Sequence, residues 1–248
     1  MTKKLSIALL LAIGLICAAK AQESPTPISS PTPEESPSLS PTPSPVTDES
    51  PSPTPSASPA HGARLRFIPP PMEGTISLGI FDENRTLVRI LQREAKIDNF
   101  SVEPDGLGAT WDGKNDAGKD LPPGKYRGRG YRIGELKVED VGKAKKAPAN
   151  DGADRVAVTL VTNPLSSDTR AVVDLGVGVD SQGCFLRTMD GLPLFTVSKT
   201  PKLVRAAITK NGKKSVDVWQ DDGEAVEQLR VSNIDQMMAF DCGFFELR

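Results

Sequence analysis

From residue 62 onward, apolar and polar side chains alternate in short runs. Ile76, Leu78 and Ile80 alternate with Thr75, Ser77 and Gly79, the period-two pattern of a half-buried strand. Asp82-Glu83-Asn84-Arg85 reads as a turn, and 87–91 as the returning strand. Pro69-Pro70-Pro71, just upstream, place the entry strand at a sheet edge, because proline cannot donate to a ladder. Beyond residue 155 the same signature recurs at 156–162, 171–175, 184–189, 192–198, 203–209, 215–220 and 226–232, and an apolar stretch at 237–247 closes the chain. Asp190-Gly191, Asn211-Gly212 and Asp222-Gly223 supply turns between these runs. Strands at this spacing predict an all-β protein: a β-sandwich over 62–140, a linker over 141–154, and a second small β-sheet-rich domain over 155–248. Val179-Asp180-Ser181-Gln182-Gly183 resembles the Asp-x-x-Gly turn of β-propeller blades. The second region holds about two blades where a propeller needs four or more, so a small independent sheet is expected.

The first 61 residues have no such pattern. Lys3 and Lys4 precede an apolar run from 5 to 19, broken only by Ser6 and Gly14, and Ala19-Lys20-Ala21 fits a signal-peptidase site. The run is shorter than the roughly 20 apolar residues of a membrane helix. Residues 1–21 are therefore expected to be a cleaved signal peptide, leaving no membrane span in the mature form. A lipoprotein signal at Cys17 is the rival reading, and Ile16 is a poor fit to the small residue it requires. Between Glu23 and Ala60 proline recurs in Ser-Pro-Thr-Pro units without an aromatic residue, lysine or arginine. No core can offset backbone ordering there, so 22–61 reads as a disordered, polyproline-biased linker. At roughly 3.1 Å per residue it spans on the order of 100 Å when extended. It serves as a tether; an O-glycosylated stalk is the alternative, since Ser and Thr flank nearly every proline.

One stretch carries a family signature. Trp111-Asp112-Gly113 and Gly118 form a turn, and Pro122-Pro123-Gly124-Lys125-Tyr126 opens a strand after two alternating runs. This order resembles the Ig-like domain of the bacterial flagellar hook-capping protein, FlgD, over about 72–131. The resemblance implies an Ig-like β-sandwich in which Trp111 fills the core, the glycines take positive-φ turns, and Pro123, Gly124 and Tyr126 lead into the next strand. The turn at Asp82 lacks the family's usual glycine, and 96–108 is a longer connection than the minimal domain needs. The resemblance carries fold and not flagellar function, because hook-capping proteins leave through the flagellar export apparatus without a cleaved Sec signal.

Charge and residue chemistry then exclude several functions. The signal peptide holds three lysines (Lys3, Lys4, Lys20) and the linker five acids (Glu23, Glu34, Glu35, Asp48, Glu49), leaving 27 basic and 27 acidic residues from 62 onward. A neutral folded part has no basic excess to draw nucleic acid. The run Arg127-Gly128-Arg129-Gly130 suggests RNA binding only superficially: at strand spacing Lys125, Arg127 and Arg129 share one face and Tyr126, Gly128 and Gly130 the other, which reads as a solvated basic strand face. Asp112, Asn115, Asp116 and Asp120 fail the EF-hand pattern, because Lys114 takes its third place and Ala117 its sixth. They read as hairpin residues, with a weak cation site as the other possibility. His61 is the single histidine and stands at the end of the linker, which leaves no base for a nucleophilic triad inside a folded domain. No metal ligand set and no cofactor motif is found. Cys184 and Cys242 are expected to pair as a disulfide in an oxidising compartment, the alternative being two buried thiols.

These readings give a non-enzymatic envelope or extracellular module, periplasmic, cell-surface or extracellular. Its β-domains ride on a proline-rich tether and bind a protein or polysaccharide of the cell envelope. The alternative is a small secreted hydrolase, or an accessory subunit of one, acting on glycan or peptide through carboxylates of the second domain. Candidate binding anchors are Trp219, opposite in face to Val216 and Val218, and Phe244 or Phe245; the alternative for Trp219 is a core position. N-terminal sequencing of native material is expected to begin at Gln22; Met1, or a lipid-modified Cys17, would contradict the signal-peptide reading.

Overall fold

A computed structural model describes residues 62–148 and 155–248. The expected signal peptide and proline-rich linker, His61 included, lie outside the described residues, as does 149–154 of the expected second linker. The described chain is all-β, with one short 3-10 turn at Ile97–Asn99. Its strands are β1 (Ala63–Phe67), β2 (Thr75–Phe81), β3 (Leu87–Ala95), β4 (Ser101–Glu103), β5 (Gly106–Trp111), β6 (Gly124–Ile133), β7 (Lys137–Ala144), β8 (Val156–Thr159), β9 (Val172–Asp180), β10 (Gly183–Thr188), β11 (Pro193–Ser198), β12 (Arg205–Asn211), β13 (Ser215–Asp221), β14 (Val226–Ser232) and β15 (Met237–Leu247). All pairings are antiparallel, in four sheets ordered β1-β5-β4, β15-β6-β2-β3, β11-β10-β9-β8 and β12-β13-β14-β7.

The β1 and β6 sheets face one another, as the alternation requires. Ile76, Leu78 and Ile80 of β2 point inward with Tyr126 of β6 and Phe240 of β15, meeting Leu65 and Phe67 of β1 and Leu107 and Trp111 of β5. Phe67 stacks on Phe240 with ring centroids 4.5 Å apart, and Trp111 meets Tyr126 edge-on at 5.1 Å. The arginine-glycine run belongs to this arrangement. Gly128 and Gly130 face the interior, where a Cβ would come within 2.4 Å of Leu65 and of Phe240 respectively. Their lack of a side chain makes room for those two core residues, while Arg127 and Arg129 leave on the opposite face.

That opposite face is also partly buried. Tyr131 and Ile133 of β6 and Met237 and Ala239 of β15 join Leu175, Leu186, Leu192, Leu194, Val216, Val218 and Val231 in the largest apolar cluster. The β6 sheet is thus a shared wall, packed on one side by the β1 sheet and on the other by the β10 sheet through β11, while the β13 sheet packs on the β10 sheet through β12 and completes the same apolar cluster.

Several expectations are corrected by this topology. The division into 62–140 and 155–248 does not follow the strand pairing: β15 extends the β6 sheet and β7 extends the β13 sheet, and the described residues belong to one unit, Pro55–Arg248. Residues 141–144 are therefore strand rather than linker. The second sheet is not independent, because its apolar face finds cover only against β6 and its own partner sheet. The connection 96–108 is not loop but carries β4 and most of a hairpin into β5. The strand after Pro69–Pro71 is not at an edge; β2 lies between β6 and β3. The prolines sit in the connection, so no ladder donor is lost. The cysteines are unpaired. Cys184 lies in the largest cluster, whereas Cys242 borders the two clusters of the β1–β6 interface, so the β6 sheet separates them. Burial pushes the Cys184 thiol up to about 11 and raises the Cys242 thiol as well, which keeps both protonated.

Trp111→Ala is expected to cost about 3–5 kcal/mol of stability, the range for a large aromatic removed from a core. The variant leaves Trp219 as the chain's remaining tryptophan, so urea unfolding followed by its fluorescence reads the loss from the other side of the shared wall. An unchanged Trp219 midpoint would mean that the two halves unfold separately.

Candidate functional site

The Trp-Asp-Gly hairpin builds structure and offers no open ligand set. Trp111 is fully buried, and its Nε1–H donates to the carbonyl of Lys114 at 2.8 Å. Asp112 and Asn115 accept from backbone N–H groups of Lys114, Ala117 and Lys119, and Asp116 accepts from Ile90 N–H at 2.9 Å. These carboxylate and amide oxygens satisfy turn donors and hold the hairpin against β3. Gly113 and Gly118 take φ of +77° and +76°. The Tyr126 hydroxyl donates to the Pro122 carbonyl at 2.9 Å, closing Pro123 and Gly124 into the corner that starts β6.

Two surfaces carry more chemistry. The first is the outer face of the β13 sheet. Alternation sends Val216, Val218 and Gln220 inward and Asp217 and Trp219 outward. Register sets Trp219 in a row with Ala207 of β12, Gln228 of β14 and, through Gln228, Gly142 of β7. Ala207 on one side is small and Gln228 on the other is shorter than an indole, so the half-buried Trp219 is the largest side chain of its row. Its Nε1–H donates to Thr209 Oγ1 at 3.0 Å, which fixes the ring's orientation.

Asp217, one pair along, is buried and saturated with donors. Asn211 Nδ2 reaches both of its oxygens at 2.9 Å, Arg230 donates from Nε at 2.9 Å and from its terminal nitrogen at 3.3 Å, and Gln228 Nε2 donates at 2.9 Å. Burial opposes ionisation, but the hydrogen bonds of Arg230 and Asn211 outweigh it and hold this carboxyl below the usual carboxylate range. The result is a rigid polar strip beside an aromatic plate. At the far end of the plate the chain leaving β7 is tied across the sheet, with Ala147 buried and Arg205 of β12 donating to the Pro148 carbonyl at 3.4 Å.

The second surface is the uncovered end of the β6 sheet. Lys125, Arg127 and Arg129 share one face of β6, with Phe244 and Asp241 beside them on β15. Lys125 and Arg127 both lie over the Phe244 ring, 4.6 and 4.7 Å from its centroid. Phe245 faces the other way, with its ring 5.8 Å from Trp111. Of the expected anchors, Trp219 and Phe244 are therefore surface groups, and Phe245 is part of the β1–β6 interface.

Two other carboxylates, the buried Asp168 and the partly exposed Asp180, are likewise matched to guanidinium groups. For Asp168 and Asp180 burial again opposes ionisation, and hydrogen bonds from Arg170 and Arg93 overcome it, keeping both carboxyls low. No three His, Cys, Asp or Glu side chains converge as a metal site among the described residues. No described helix is long and apolar enough to cross a membrane. A cleft of about 350 Å³ is bordered by Thr159, Leu160, Lys210, Lys213, Lys214 and Asp235, and is neither acidic nor aromatic.

Sequence reasoning singled out Trp219 but missed Asp217, Arg230, Asn211 and Gln228. The alternation put Asp217 on the Trp219 face; its partners come from neighbouring strands, and only their register shows them. No known family model, curated protein or solved structure matches the chain.

The depressed Asp217 carboxyl contributes stability that is fully present above the unfolded aspartate value, about 3.9, and is lost as pH falls through the lower folded value. Asp217→Asn is expected to flatten the decline in urea midpoint between pH 5 and pH 2 relative to the native chain. Parallel declines would assign the acid sensitivity to other carboxylates.

Proposed function

We propose that this chain is an exported, non-enzymatic binding module that presents the Trp219 face to polysaccharide of the cell envelope. The observation that carries the reading is the pairing of a half-buried, orientation-locked indole with a fixed row of Asp217, Arg230, Asn211 and Gln228 donors and acceptors. A sugar ring offers an apolar C–H face and a rim of hydroxyls, and this surface offers an aromatic plate beside a hydrogen-bonding rim. A plate already locked by its own hydrogen bond loses little freedom on binding. The matched carboxylates favour binding over hydrolysis: a glycosidase acid needs a raised pKa, whereas Asp168, Asp180 and Asp217 are all held low.

We also infer that the β1 and β6 sheets are an Ig-like sandwich of the FlgD type. Support comes from the buried Trp111 and the Tyr126 hydroxyl bonded four residues upstream, an arrangement akin to the tyrosine corner of Ig-like sandwiches. In this reading the export signal delivers the module and the 22–61 linker positions it, while the folded part makes the contact.

Affinity electrophoresis in isolated envelope polysaccharide tests the proposal. The full mature chain and a chain lacking 23–60 should be retarded equally, and Trp219→Ala should weaken retardation about tenfold, since hot-spot aromatics carry 2 kcal/mol or more. Retardation that depends on the linker or is indifferent to Trp219, or breakdown of the polysaccharide, overturns it.

A further inference from the structure

The uncovered end of the β6 sheet carries an imbalance of charge. Three guanidinium groups, Arg127, Arg129 and Arg170, come together with two carboxylates, Asp241 and Asp168. Each carboxylate is taken. Arg127 pairs with Asp241, whose side chain is 6% exposed. Arg170 pairs with Asp168, 3% exposed, donating from Nε to its two oxygens at 2.9 and 2.8 Å. Arg170 spends its remaining donors on the Tyr131 hydroxyl at 2.7 Å and on the carbonyls of Phe240 and Gly130 at 3.0 and 3.3 Å, with its guanidinium over the Tyr131 ring.

Arg129 stands among these groups and makes no hydrogen bond or ion pair among the described residues. Its Nε is buried without a partner. Across the ladder its neighbours are Gly79, which offers no side chain, and Asp241, already held by Arg127. Burial first, and then the like charges of Arg170 and Arg127, push this guanidinium below the usual arginine range. An arginine so placed is costly to keep, because a buried N–H without an acceptor loses its hydration and gains nothing in return. A planar oxyanion meeting the outer edge of the guanidinium would accept from its two terminal nitrogens, which are not buried as Nε is, and would pair a charge that no described carboxylate takes. Phe244, 55% exposed and fixed under Lys125 and Arg127, forms an apolar wall at one side.

We propose that Arg129 is the receptor for a single carboxylate carried by an acidic polysaccharide, a uronate residue in chemical class, on a surface separate from the Trp219 face. Arg129 itself takes one carboxylate. With 27 basic and 27 acidic residues from 62 onward, no extended field is present to hold a dense polyanion such as nucleic acid. The carboxylate receptor stands on the arginine geometry alone, and the polymer class rests on the polysaccharide reading above.

The test is an NMR titration of the full mature chain with a galacturonate oligomer, following the Arg129 Nε–Hε and Trp219 Nε1–Hε1 resonances, with the neutral galactose oligomer and short duplex DNA as comparison arms. The galacturonate oligomer should shift the Arg129 signal saturably. In Arg129→Gln its affinity should fall about tenfold or more, the magnitude of a charge-assisted hydrogen bond, while Arg129→Lys should lose less because it keeps the charge without the fork. The neutral oligomer should leave the Arg129 signal in place. An unsaturable Arg129 response, an equal response to the neutral oligomer, or unchanged galacturonate affinity in Arg129→Gln overturns the receptor. Tighter saturable binding of DNA at Arg129 overturns the glycan assignment. A silent Trp219 signal beside a saturating Arg129 signal supports the carboxylate site while counting against the Trp219 platform, so the two readings fail separately.

Discussion

The antiparallel ladder between β6 and β15 holds the rest of the structure in place. It joins residues 124–133 to 237–247, more than a hundred residues apart, and runs almost the full length of both strands with one bulge at Asp241–Gly243. Because both strands bury side chains on both faces, the ladder fixes two cores at once: Tyr126, Phe240 and Leu247 toward the β1 sheet, and Tyr131, Ile133, Met237 and Ala239 into the cluster shared with the β10 and β13 sheets. A one-residue slip would exchange these sets and turn arginines into the interior. Register is therefore strongly specified, and the chain's last strand is a structural requirement of its first sandwich.

The same two-sided strand explains the chemistry of its surface. Gly128 and Gly130 make room for Leu65 and Phe240 on one side, and period-two alternation then obliges the residues between them to face the other way. Where that other side is covered, Tyr131 and Ile133 are apolar. Where the cover ends, arginines appear, and the cation–π contacts on Phe244 and Tyr131 show guanidinium groups stacked on the rings beside them. The unmatched Arg129 sits at this border between covered and open sheet. At the Trp219 face the logic is similar but the outcome is balanced: Asp217 is buried, and donors from β12 and β14 satisfy it fully. One surface is a finished network beside an aromatic plate, and the other is a network short of one anion.

Much of the local structure was legible in the chain. Period-two runs located β8, the first part of β9, and β10 to β14; an apolar stretch marked β15, and Asx-Gly pairs marked three of the turns between them. The faces of Lys125, Arg127 and Arg129, and of Trp219 against Val216 and Val218, followed from alternation alone, which depends on backbone geometry and on nothing distant.

What tertiary structure decided was every relation between runs. Which strands pair is set by long-range burial: an apolar face at 237–247 does not say that its partner is β6, and a Lys-Ala-rich stretch after Val141 does not say that its first residues extend the β13 sheet. Hence the sequence suggested two domains where the pairing makes one unit. The cysteines looked alike as isolated small apolar residues, and only the β6 sheet between them keeps them apart. Asp217 and Arg129 were equally ordinary in sequence. One is saturated and the other unmatched because hydrogen-bond partners come from neighbouring strands, and register, not sequence distance, brings them within reach.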